Sequence, residues 1–156
     1  MTDDLQTVNS NSFSIKGETD YITVTLQDVF GFPEETCHWG GYDSSAFVEI
    51  KSRGFYCKAH FYTSTGELFN FYQELKRCNQ ILTGIVKYVS YEAHLELTVE
   101  YDANGHVSVK GVFSEHTQFA NELQFDFTSD QTYIKSTINE LQAIVDKYGN
   151  LKGIIK

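Results

Sequence analysis

Proline is almost missing from this chain: Pro33 stands alone among 156 residues, which excludes a proline-rich linker or a polyproline segment. Cysteine is scarce and odd in number. Cys37, Cys57 and Cys78 lack a framework spacing, so a small disulfide-stapled scaffold is excluded and reduced thiols in a cytoplasm are the expectation. Basic residues are few, 12 Lys and Arg against 21 Asp and Glu, and the net charge of −9 disfavours nucleic acid or an anionic membrane as the main partner. No run approaches the roughly 18 apolar residues needed to span a bilayer. Met1 to Ser14 has two acids, no basic region and no apolar region, so it reads as neither a secretory signal nor a mitochondrial-type presequence. A cytoplasmic location is expected.

What the chain does contain is aromatic surface. Twelve Phe and 10 Tyr within a 41% hydrophobic composition can offset the entropy of ordering, which argues for a folded chain with one core and a single domain over 1–156. Residues 1–12 are polar and read as a flexible tail. Tyr21 to Phe30 is rich in β-branched and aromatic residues, as a strand is, and Pro33 stops it. Glu34 to Ser45, with Gly40 and Gly41, reads as a loop; Ala46 to Lys51 and Phe55 to Tyr62 read as strands joined at Arg53-Gly54.

From Thr65 the period changes from two to 3.6, with Leu68, Phe71, Tyr72 and Leu75 on one helical face and Ser64 or Thr65 as N-cap. Leu82 to Ser90 reads as a strand. In the next, Leu95, Leu97, Val99 and Tyr101 face one way while His94, Glu96, Thr98 and Glu100 face the other. A turn at Asp102-Ala103-Asn104-Gly105 pairs Tyr101 with Val107 and Val99 with Val109, and Glu122 to Thr128 turns Leu123, Phe125 and Phe127 inward. Ile134, Ile138, Leu141, Val145 and Tyr148 then mark a helix between Asp130 as N-cap and Gly149 as C-cap. The expected fold is α+β, in the order βββ-α-ββββ-α: a single antiparallel sheet of about seven strands with two amphipathic helices packed on one face. The opposite, open face then displays Glu92, Glu96, Glu100, Glu122 and Asp126, with His94, Thr98, Ser108 and Lys110 among them.

Catalytic and metal chemistry find little support. Cys37-His38 and Cys57-x-x-His60 offer zinc-compatible ligands, but Cys57 and His60, three apart in one strand, point to opposite faces. No cysteine is marked as a nucleophile, and Glu96 and Glu100, two side-chain steps apart on one strand face, fit a solvated charge row better than a glycosidase acid pair. Phosphate loops, dinucleotide fingerprints, zincin helices and nucleophile elbows do not occur. No catalytic residue, metal or cofactor is expected. Trp39 and Tyr42 are suited equally to anchoring an interface and to capping the edge of the core.

The acidic stripe is the most informative feature. Residues 92 to 130 hold eight acids against Lys110 alone, which accounts for −7 of the −9. Such a row can serve solubility only, but its concentration favours a basic partner. Several segments also resemble the WapI family of bacterial immunity proteins, which are encoded beside wall-associated polymorphic toxins. The resembling residues are Gly40-Gly41-Tyr42-Asp43, Phe69 with Leu75, Leu82-Thr83-Gly84, Leu95-Glu96-Leu97, Asp102-Ala103-Asn104-Gly105-His106-Val107, and Leu123-x-Phe125-x-Phe127 running into Asp130-Gln131-Thr132-Tyr133. The resemblance implies a cytosolic protein that binds the C-terminal toxic domain of a delivered toxin, often an RNase. It supplies no site residues. The expectation is therefore a nuclease-toxin inhibitor whose partner-binding residues are Glu92, Glu96, Glu100, Glu122 and Asp126. The alternative is a small-molecule binding domain or an enzyme of unrecognised type, with a pocket between sheet and helices.

Overall fold

The computed structural model describes residues 11–116 and 119–154. It contains eight strands and two helices: β1 (Ser12–Lys16), β2 (Tyr21–Val29), β3 (Asp43–Ser52), β4 (Phe55–Ser64), α1 (Thr65–Ile81), β5 (Gly84–Val89), β6 (Leu95–Tyr101), β7 (His106–His116), β8 (Ala120–Asp130) and α2 (Gln131–Tyr148). The α+β class and the antiparallel pairing match expectation, but the single sheet does not. Two four-stranded sheets form, in the orders β1-β2-β3-β4 and β5-β6-β7-β8. Each sheet has one apolar face, and a sheet face of that kind must be buried against another layer. Here both faces and both helices share one core: Phe61 on β4 meets Phe113 on β7, and Phe71 on α1 meets Phe13 on β1 and Tyr88 on β5. The helices pack on each other, α2 along β1 and α1 along β5.

The first strand is a further correction. Of the expected tail, residues 1–10 lie outside the described residues, but Ser12 opens β1, and alternating Phe13 and Ile15 are fully buried against β2. The Phe13-Ser14-Ile15-Lys16 alternation was the available signal, and Ser129 Oγ donates to the Lys16 carbonyl at 2.6 Å to tie this edge to β8.

Local chemistry sets the helix ends. Ser64 is extended (φ −131°, ψ 153°); its hydroxyl accepts from the Glu67 N–H while the Glu67 carboxylate accepts from the Ser64 N–H, a complete capping box. The helix runs past Asn79 to Ile81, and Leu82, expected to open a strand, closes it in the left-handed conformation with its N–H on the Cys78 carbonyl. At the start of α2 the Asp130 carboxylate accepts from the Tyr133 N–H at 2.9 Å. Asp130-Gln131-Thr132-Tyr133 is thus a helix start. The register of β6 with β7 is the one expected, Tyr101 opposite Val107 and Val99 opposite Val109, with Gly105 at φ 82° in the turn. Among the described residues no helix is long and apolar enough to cross a membrane.

Candidate functional site

Register decides which side chains share the outer face of the β5–β8 sheet. One row across the four strands is Ile85, Glu100, Ser108 and Thr128; the next is Lys87, Thr98, Lys110 and Asp126; the third is Val89, Glu96, Val112 and Gln124. Glu122 follows opposite Ser114. Glu96, Glu100, Glu122 and Asp126 are all exposed on this face, because their strand neighbours Leu95, Leu97, Val99, Phe125 and Phe127 fill the core beneath. Gln124 and Ser114 donate to the two oxygens of Glu122 and, the Gln124 bond first, hold its carboxyl below the ordinary range.

Two placements differ from the sequence reading. Glu92 lies in the β5–β6 turn at the end of the sheet, where its carboxylate is 3.3 Å from His94 Nε2, while His94 Nδ1 meets the Ser114 carbonyl. Lys87 stands in the same row as Lys110, so Glu96, Glu100, Glu122 and Asp126 share their face with two lysines. The alternation in β5 hides this lysine, since Ile85 and Val89 point outward beside it and both are about half exposed. An open concavity of about 570 Å³ sits in the middle, lined by Glu96, Thr98, Lys110, Val112, Gln124 and Asp126 among others.

Sequence reasoning weighed Trp39 and Tyr42 together, and the structure separates them. Tyr42 is buried; its hydroxyl donates to the Pro33 carbonyl at 2.9 Å and accepts from the Ile154 N–H at 3.1 Å. Trp39 is 49% exposed and stacks on Tyr91 with ring centroids 5.1 Å apart and planes within 5°. The glycines beside them are packing elements. Gly66 N–H donates to the Gly40 carbonyl at 3.1 Å and Tyr42 N–H to Thr65 Oγ1 at 2.8 Å, so the loop before β3 docks on the first turn of α1.

The thiols are not arranged as nucleophiles. Burial pushes the Cys37 and Cys57 thiols up, Asp43 adding to the first and Glu115 to the second, the reverse of what an activated thiolate needs. Cys57 lies on the core side of β4, whereas His60 lies outward against Phe47 at 4.0 Å between ring centroids. Among the described residues no group of three His, Cys, Asp or Glu is placed to hold a metal ion. A second concavity, of about 690 Å³, also opens at the surface, between the β1–β2 and β3–β4 turns and the start of α2.

The model of the immunity protein WapI-like family matches residues 13–149, from β1 to the cap of α2. The chain belongs to this family. It is thus placed among immunity proteins, whose role is to neutralise a toxin. No match to the chain is found among curated proteins. The match spans both sheets, so the acidic face and the Trp39 loop both lie within the part that defines the family.

Proposed function

We propose that this immunity protein neutralises a nuclease toxin domain by laying the outer face of the β5–β8 sheet over its basic, phosphate-holding cleft. The observation that supports this reading is the projection of Glu96, Glu100, Glu122 and Asp126 from one face, with Glu96 and Asp126 lining an open concavity in it. Carboxylates so placed compete with RNA phosphates for the same lysines and arginines, and complementary fields speed the encounter. Glu92, at the end of the sheet, extends the acidic edge. Lys87 and Lys110 share one row with Asp126, between the rows of Glu100 and Glu96, and set a register that a uniformly acidic patch lacks.

The partner is a basic protein domain; nucleic acid and membrane are not bound. The work is inhibition by occlusion, in the cytoplasm, without catalysis. Co-expression with the toxin domain encoded beside this chain should restore growth and yield a co-purifying complex. The double reversal Glu96→Lys with Glu100→Lys should slow association at low salt by tenfold or more, about the lower end of what steering supplies. An unchanged affinity with unchanged salt dependence places the interface elsewhere.

A further inference from the structure

We infer that Trp39 and Tyr91 form an aromatic platform for one arginine side chain of the toxin, at the edge of the acidic face; this rests on the toxin-binding reading above. Tyr91 lies in the β5–β6 turn between Val89, which points outward opposite Glu96, and Glu92, so the platform follows the charged surface in chain order at that end of the sheet. Its position is fixed before any partner arrives. The Tyr91 hydroxyl donates to Asp43 Oδ1 at 2.7 Å, and the indole of Trp39 lies parallel on the phenol ring, with His38 edge-on to it at 5.0 Å. The loop carrying Trp39 is closed on itself by Cys37 N–H to the Gly41 carbonyl and Gly40 N–H to the Cys37 carbonyl, and is tied to the C-terminal turn by Gly41 N–H to the Leu151 carbonyl.

Three observations select a cation as the occupant. The surroundings are electronegative: the tyrosine's acidity is suppressed first by burial, then by its bond to Asp43 and the carboxylates of Asp43, Glu92 and Glu67. Trp39 has half of its surface exposed, although indole is the aromatic group that binds cations best. The chain's own lysines already lie over Phe47, Tyr72 and Tyr148, whereas among the described residues none lies over Trp39. Arginine fits better than lysine because a planar guanidinium stacks on the indole while its edge donates to a carboxylate. A rigid, half-exposed tryptophan rimmed by polar groups is also the residue type that dominates alanine scans of interfaces.

The chain has a single tryptophan, so its emission reports this site alone. The full chain is titrated with a catalytically inactive form of the toxin domain encoded beside it. Complex formation should change the Trp39 emission. Trp39→Ala should weaken binding by about thirtyfold or more, and Trp39→Phe, which keeps a ring, by less. Arginine amide should displace the toxin domain better than lysine amide at equal ionic strength from the parent, and lose that advantage in Trp39→Ala. Circular dichroism on both variants checks that the fold persists. Binding by Trp39→Ala within twofold of the parent, with Glu96→Lys/Glu100→Lys impaired, overturns the platform and leaves the acidic face standing. The reverse pattern supports the platform and removes the acidic face.

Discussion

Three elements meet at one buried chain of hydrogen bonds, and a double-mutant cycle there tests how the two sheets are joined. Thr63 on β4 donates its hydroxyl proton to Glu67 Oε1 on α1 at 2.8 Å; having one proton, it must then accept from the Tyr88 hydroxyl on β5, 2.5 Å away. Glu67 Oε1 also accepts from the Ser64 N–H at 2.9 Å. Tyr88→Phe removes the outermost donor and leaves Thr63 bonded to Glu67, so it should cost about 1 kcal/mol, the net worth of one neutral hydrogen bond. Thr63→Val does more harm. It strands the Tyr88 hydroxyl, only 3% exposed, and strips a charge-assisted bond from Glu67, which together should cost about 2–5 kcal/mol. In the double variant no hydroxyl is stranded, so the summed single effects should exceed the double effect by about 1–2 kcal/mol. Urea titrations of the four proteins measure this, with unchanged slopes confirming that stability alone has moved. Additivity within about 0.3 kcal/mol would refute the hydrogen-bonded chain and leave the sheets joined by packing only.

Two other predictions concern the same region. Burial raises the Glu67 carboxyl above its ordinary value, outweighing the Thr63 and Ser64 bonds, so the folded chain holds this proton to higher pH than the unfolded one. Stability from this group is therefore complete below the ordinary carboxyl pKa and falls as pH rises through the folded value; Glu67→Gln, which can still accept from Ser64, should flatten the stability profile above the ordinary carboxyl pKa. Gly66→Ala should lower the Tm, although alanine is worth about 1 kcal/mol more than glycine inside an ordinary helix. A Cβ there would lie 2.3 Å from the Gly40 carbonyl oxygen, which is backbone and cannot yield cheaply; a raised Tm would show that the loop is free to move.

The legible parts of this fold are those that neighbouring residues decide among themselves. Ser64 and Asp130 are caps because their side chains reach N–H groups three residues on, and that requirement is visible as spacing. The β6–β7 register follows from matching apolar positions across a short turn. Whether the strand after α1 extends the first sheet or founds a second is decided by which apolar faces meet, such as Phe61 on Phe113, and no local pattern records that choice. The site divides in the same way. Outward parity in β6 and β8 was readable from clean alternation; Lys87 was masked by apolar residues on both sides of β5; and the Trp39–Tyr91 stack joins two loops that only the tertiary fold brings together.

The proposed interface has two parts that should separate kinetically. The outer face of the β5–β8 sheet carries Glu96, Glu100, Glu122 and Asp126 against Lys87 and Lys110, whereas Lys16, Lys51 and Lys58 stand with Asp28, Asp43 and Glu49 on the outer side of the β1–β4 sheet. A basic partner is thereby drawn to the β5–β8 side over approach distances up to about the Debye length, about 8 Å at physiological salt, before any contact forms. Reversing Glu96 and Glu100 weakens that long-range pull, so the loss should fall mainly on the association rate and should shrink as salt is added. Removing Trp39 changes no charge. It deletes a contact made only after docking, so its cost should appear in the dissociation rate and persist at high salt. Stopped-flow association and surface-binding dissociation, each at two salt concentrations, separate the two. If both variants slow association to the same salt-dependent degree, then Trp39 lies on the approach path and does not anchor the docked complex.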